Sequence, residues 1–142
     1  MAQALSGMKI RRAFVIHGAE GWDEPTPIGP FEVFDVTPGN VRRERRTPAD
    51  FGLPLCRPEA LGGGDAQYNA QALRAVLRCE DRGPHRDALL LGAALALEVT
   101  GATRNSHEGI ARATATVEDG SAGALLERLV AFSATGAGGT RV

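Results

Sequence analysis

Lysine is almost missing from this chain, with Lys9 standing alone against fifteen arginines. Cysteine is nearly as scarce. Cys56 and Cys79 fit no metal-ligand spacing and cannot staple a disulfide framework, so a reducing, cytoplasmic setting is expected. Long apolar runs are lacking too: the longest, Ala88 to Leu97, is broken by Gly92 and amounts to about half a membrane span. Arg11 and Arg12 precede only four apolar residues, Ala13 to Ile16, which excludes a signal peptide. The formal net charge of −1 excludes a nucleic-acid binder working through a broad basic surface. Membrane-spanning, secreted and disulfide-rich classes are thereby set aside. What is there is ordinary: 142 residues, 43% hydrophobic and 23% charged, enough for one core and too few for two.

Along the chain, Met1 to Gly7 reads as a short helix. Arg12 to His17 follows as a strand apolar at successive positions, the pattern of a strand covered on both faces in a mostly parallel sheet. The segment His17 to Glu24 is a glycine-punctuated loop with three carboxylates, and Pro25, Pro27 and Pro30 keep its continuation extended. Residues 31–47 read as a β-hairpin turning at Thr37-Pro38-Gly39-Asn40. In that hairpin Phe31, Val33 and Asp35 share one face. The cluster Arg42, Arg43, Arg45, Arg46 is expected to be a solvated strand face, because Glu44 interrupts it and no aromatics interleave.

From Asp65 the period becomes helical. Asp65 caps a helix reaching Arg78 whose buried side is expected to be Ala66, Ala70, Leu73, Val76 and Leu77. A second helix, from about Arg86 to Thr100, is apolar nearly all round and therefore central, with Gly101 at its end. Ser106 caps a third, and Ser121 opens a fourth that is amphipathic through Leu125, Leu129 and Phe132. Gly136 to Gly139 is expected to be flexible. Two to three strands followed by four helices make a peculiar α/β protein: its first strand and its all-apolar helix both need neighbours. The chain has the look of a piece of a larger α/β domain.

The loop after the first strand is the candidate site, since ligands of α/β sheets gather beyond the carboxyl ends of strands. Asp23 and Glu24 are adjacent hard oxygen donors, suited to Mg²⁺, which takes one or two carboxylates and completes its octahedron with water and phosphate. Taken alone, such a pair is more readily a solvated acidic turn.

The surrounding residues add a resemblance. Arg12-Ala-Phe-Val-Ile-His-Gly-Ala-Glu-Gly-Trp-Asp-Glu24 resembles the anthranilate phosphoribosyltransferase family, where a strand ending in Val-His-Gly leads to Asp-Gly-Leu-Asp-Glu. The likeness continues through Pro48 to Leu53, Gly63-Gly64-Asp65-Ala66 with Asn69-Ala70, Arg86-Asp87, Glu108-Gly109 and Asp119 to Ala122. It covers about residues 1–133 in one collinear order. It implies the C-terminal part of a nucleoside-phosphorylase/phosphoribosyltransferase-type α/β domain over 1–134, with a Gly-rich tail over 135–142. It also implies Mg²⁺-dependent transfer of phosphoribose from phosphoribosyl pyrophosphate to anthranilate, in tryptophan biosynthesis. Asp23 and Glu24 would be the metal-binding pair. Partners would be those two substrates and either a second copy of the chain or the missing N-terminal half.

The departures are as informative. The family's Gly-Thr-Gly-Gly-Asp and Lys-His-Gly-Asn loops lie upstream of the matching region and are absent, so the isolated chain is expected to be inactive. Gly62-Gly63-Gly64-Asp65 could cradle phosphate at a helix N-terminus, but its place before Asn69-Ala70 favours a helix-starting turn. Trp22 replaces the usual leucine and Gly92 the usual asparagine. His17 reads as structural rather than as a general base, His85 and His107 sit at helix starts, and Ser106, Ser121 and Ser133 lack a nucleophile elbow. A rival expectation is a non-catalytic module that pairs through exposed strand edges and apolar helix faces.

Overall fold

The computed structural model describes residues 1–136. A short helix, α1 (Ala2–Ser6), leads to three strands, β1 (Ala13–His17), β2 (Phe31–Thr37) and β3 (Asn40–Arg46). Two 3₁₀ turns, Pro48–Phe51 and Pro58–Leu61, precede the helices α2 (Ala66–Leu77), α3 (Pro84–Val99), α4 (Ser106–Glu118) and α5 (Ser121–Gly136). The α/β expectation, with its hairpin and four closing helices, is met.

The sheet is antiparallel throughout, in the order β1-β2-β3. This corrects the expectation of parallel neighbours for β1: its partner among the described residues is β2, running the other way. The apolar run has a different cause. Phe14 and Ile16 pack on the core beneath the sheet, while Val15 lines a cleft with Met1, Ala2 and Phe34 on the opposite face, where α1 lies. Both faces are therefore half-covered, and β1 needs apolar residues at every position. Its other edge carries no strand among the described residues. In the hairpin, Pro38 cannot donate to the ladder and Gly39 takes φ +75°, closing the turn between the paired Thr37 and Asn40.

The core is a two-sided seam about α3. Leu91, Ala94 and Leu95 meet Phe31, Val33, Phe51 and Leu53, while Leu90 meets Ala113 and Val117 of α4; Ile110 touches both groups. The central position expected of this helix is thus observed. α4 lies unusually close to it, for a Cβ added at Gly109 would stand 2.9 Å from the Ala94 Cβ. Thr47 and Asp50 form a reciprocal cap on the first 3₁₀ turn and so hold Phe51 under the sheet.

Two helix readings need correction, and a third is met with its apolar side turned outward. On α2 only Val76 is buried; Ala66, Ala70 and Leu73 are exposed, because α2 touches the rest of the chain through its C-terminal half. Asn105, not Ser106, caps α4: its backbone is extended and its Oδ1 accepts from the Glu108 N–H at 2.9 Å, whereas Ser106 is already helical. The apolar stripe of α5 is amphipathic in pattern but faces outward, with Leu129 57% and Phe132 76% exposed. Of the expected 135–142 tail, Thr135 and Gly136 complete α5 and the remainder lies outside the described residues.

Candidate functional site

Beyond β1 the chain makes a tight reversal. The Gly18 N–H donates to the Trp22 carbonyl at 2.7 Å and the Trp22 N–H to the Ala19 carbonyl at 3.1 Å. Glu20 (φ 54°) and Gly21 (φ 85°) both adopt the left-handed region to complete it. The far side of the loop is anchored. Thr26 and Pro27 are buried, and the Cys56 N–H donates to the Pro27 carbonyl at 2.9 Å. Between reversal and anchor stand Asp23 and Glu24, both exposed, and neither carboxylate has a hydrogen-bond or ion-pair partner among the described residues. They are adjacent in the chain and uncommitted to any internal contact.

Could they hold magnesium? No group of three or more His, Cys, Asp or Glu side chains is gathered among the described residues, so a protein-only cage is lacking there. Magnesium seldom asks for one. Two free carboxylates on a glycine-shaped loop fit a cation that keeps its waters and binds phosphate oxygens, which is the donor chemistry the sequence suggested.

The other residues singled out fall elsewhere. His17 ends β1 opposite Glu32, exposed and without a side-chain hydrogen bond among the described residues. His85 lies 3.4 Å from Asp81 in the first turn of α3, and His107 is exposed on α4. The Ser121 hydroxyl donates to the Thr116 carbonyl and that of Ser133 to the Val130 carbonyl, both local helix contacts. At the glycine triplet, Asn69 accepts from the Gly64 N–H at 2.9 Å and donates back to its carbonyl at 3.0 Å, while the Gly62 N–H is bonded to Glu59. Two of the N–H groups a phosphate would need are thus already used, as a helix-starting turn requires. Gly92 opens onto an apolar groove of about 220 Å³ between the free edge of β1 and α3, lined by Phe14, Ile16, Pro25, Leu95 and Val99.

One cluster was only half legible in the sequence. Arg12 grips Asp35 with two hydrogen bonds of 2.8 Å and donates to the Glu98 carbonyl. Arg46 binds Glu98 through two nitrogens at 2.7 and 2.8 Å and also Glu44, and both guanidinium groups lie over the Phe14 ring. Arg46 is therefore not part of a solvated face; with 13% of its side chain exposed it is the bolt between β3 and α3. The Arg12 hydrogen bonds hold Asp35 below the usual carboxylate range. Burial instead pushes Asp87 up, only partly offset by Arg86. The signal for this cluster was the alternation that puts Asp35 of β2 and Arg42, Glu44 and Arg46 of β3 on one face of the sheet, but α3's contribution is a tertiary fact.

Set beside known proteins, residues 1–123 match the family model described as glycosyl transferase family, a/b domain. The anthranilate phosphoribosyltransferases of Rubrobacter xylanophilus and Methylobacterium nodulans are each 44% identical over 133 residues, covering 94% of this chain and 39% of theirs. The chain thus spans about two-fifths of the length of these curated relatives, their C-terminal part. Among solved structures, the anthranilate phosphoribosyltransferase of Thermus thermophilus superposes with a TM-score of 0.76 at 38% identity, over 85% of this chain and 35% of that one. The Saccharomyces cerevisiae enzyme in complex with PRPP and Mg gives 0.74 at 28% identity, over 80% and 33%.

Proposed function

The chain belongs to the glycosyl transferase family through its a/b domain, and from that membership we propose that it is the C-terminal part of a phosphoribosyltransferase acting on phosphoribosyl pyrophosphate and anthranilate in the cytoplasm, for tryptophan biosynthesis. The observation that carries the reading is the 44% identity to anthranilate phosphoribosyltransferases over nearly the whole chain. No helix among the described residues is long and apolar enough to cross a membrane.

The residues of this chain contribute position and charge. Asp23 and Glu24 would hold Mg²⁺, which when bound neutralises charge on the departing pyrophosphate. The Gly18–Trp22 closure and the buried Thr26-Pro27 anchor keep both carboxylates at the mouth of the β1 end, so little reorganisation is left for the moment of reaction. No nucleophile is required, in keeping with the local helix bonds of the serines. The anthranilate and phosphate loops of the family are not among these residues, so the chain alone is inactive.

A chimera tests this: residues 1–133 replace the matching C-terminal part of the Rubrobacter xylanophilus enzyme, and loss of anthranilate fluorescence is followed with Mg²⁺ and phosphoribosyl pyrophosphate. The chimera turns over, the isolated chain does not, and Asp23→Asn/Glu24→Gln in the chimera loses activity that excess Mg²⁺ partly restores. Product from the isolated chain overturns its inactivity; an inert chimera that is folded overturns the substrate reading.

The outward stripe of α5 favours a second reading, a non-catalytic module that self-associates. Its test is the sedimentation coefficient as a function of concentration.

A further inference from the structure

Gly18 has an unremarkable backbone, φ −74° and ψ 172°, open to any residue. Its glycine is therefore not there for conformational freedom. The space around it tells a different story. A Cβ at this position would stand 2.8 Å from the Trp22 carbonyl oxygen and 2.9 Å from the Trp22 Cβ, and closer still to the Glu24 carbonyl oxygen. These are distances real Cβ atoms do not show, and two of the three obstacles are backbone, which cannot swing aside. Neighbouring Gly21 is the contrast: it needs its positive φ, yet a Cβ there would meet nothing within 4 Å. One glycine lets the chain turn; the other lets the turn shut.

We propose that Gly18 is a positioning residue for divalent-cation binding: its bare Cα lets the Trp22–Glu24 backbone close against the end of β1, and that closed loop is the state in which Asp23 and Glu24 act on one cation. The inference rests on the metal role given to Asp23 and Glu24 above. The buried Gly18 N–H, bonded to Trp22 at 2.7 Å, is the latch of the closed state. Binding and closure are then linked, so whatever cation the pair takes up must in turn tighten the latch. Adding a methyl group forces the segment bearing both carboxylates outward while leaving the β1–β2 ladder, which begins before the loop, in register.

Mn²⁺ serves as the probe, being paramagnetic and bound by the same oxygen donors as Mg²⁺. In the full 142-residue chain, amide resonances of Trp22, Asp23 and Glu24 broaden on Mn²⁺ titration, and saturating Mg²⁺ slows hydrogen exchange at the Gly18 amide. Gly18→Ala retains the Phe14–Ile16 amide pattern but needs about tenfold or more Mn²⁺ for equal broadening, the usual effect of disturbing what orients a ligand. Equal broadening in Gly18→Ala and the parent overturns the proposal. So does Gly18 exchange that is unmoved by Mg²⁺ while Trp22 to Glu24 respond, a measurement that needs no variant and stands even if Gly18→Ala fails to fold. If the parent does not respond to Mn²⁺ at all, or Asp23→Asn/Glu24→Gln responds equally, it is the metal reading itself that falls, and this proposal with it.

Discussion

Arg46 and Glu98 lie 52 residues apart and meet at 2.7 and 2.8 Å, with only 13% and 10% of their side chains exposed. Arg46 has Glu44 as a second partner, but the Glu98 carboxylate takes its side-chain hydrogen bonds from Arg46, so losing the arginine strands that charge between β3 and α3. Arg46→Ala is expected to cost about 3 kcal/mol in a urea titration, while the exposed Arg45→Ala costs almost nothing. Acid titration separates two other carboxylates by sign. Asp35, held down by Arg12, contributes stability that is present above the ordinary value of about 3.9 and lost as pH falls through its lower folded value. Asp87, pushed up by burial, does the reverse: the folded state gains as pH falls through its raised value toward about 3.9. Urea midpoints followed from pH 7 downward should therefore first rise and then drop. Asp87→Asn removes the rise, and Asp35→Asn shrinks the drop. This chemistry was half legible: the alternation of β2 put Asp35 on the face of Phe31 and Val33, but nothing local says that Arg12 and Arg46 close over Phe14.

Helix packing gives glycine two opposite meanings. Gly92 sits on α3 facing open space, so Gly92→Ala gains roughly the 1 kcal/mol by which alanine exceeds glycine in a helix. Gly109 sits on α4 against Ala94, where the added methyl meets a Cβ at 2.9 Å and backbone at 3.1 Å. There the clash outweighs the propensity, and Gly109→Ala lowers stability by about 1–3 kcal/mol. Thermal unfolding of the two variants, expected to shift in opposite directions, checks both. The helices themselves were readable from their period, as was the Asp65 cap, whose Oδ1 accepts from the Tyr68 N–H at 2.8 Å. Their buried sides were less so. Periodicity marks an apolar stripe without saying whether anything lies against it, and on α2 and α5 much of the stripe is bare. The β1 run misled for a related reason: coverage on both faces was correctly inferred, and parallel pairing was attached to it by habit of fold, whereas α1 supplies the second cover.

Taken whole, the molecule leaves apolar surface uncovered along two of its helices. Leu125, Leu129, Val130 and Phe132 are exposed along α5, and Tyr68 and Leu73 along α2. If α5 pairs two copies, the sedimentation coefficient rises with concentration to a defined dimer, and Leu129→Glu/Phe132→Glu returns it to a monomer with no loss in thermal midpoint. A parent that stays monomeric at high concentration removes the self-association reading. The place of the candidate loop was the most legible part of all, because a glycine-flanked acidic segment directly after a strand is a local pattern. What the sequence withheld was the closure behind it, since a 2.7 Å hydrogen bond from Gly18 to Trp22 leaves no mark in composition or period.

The order β1-β2-β3 also bears on time. Each strand pairs with the one next to it in the chain, across a two-residue turn or the loop of residues 18–30. Closing such short spans costs little entropy, and local pairing is what makes folding quick. The sheet, with the carboxylate loop hung between its first two strands, can take shape during synthesis before α3 arrives to bolt it down. An unassisted chain should then show an early, Arg46-insensitive phase in which the hairpin forms, followed by a slower one that Arg46→Ala retards.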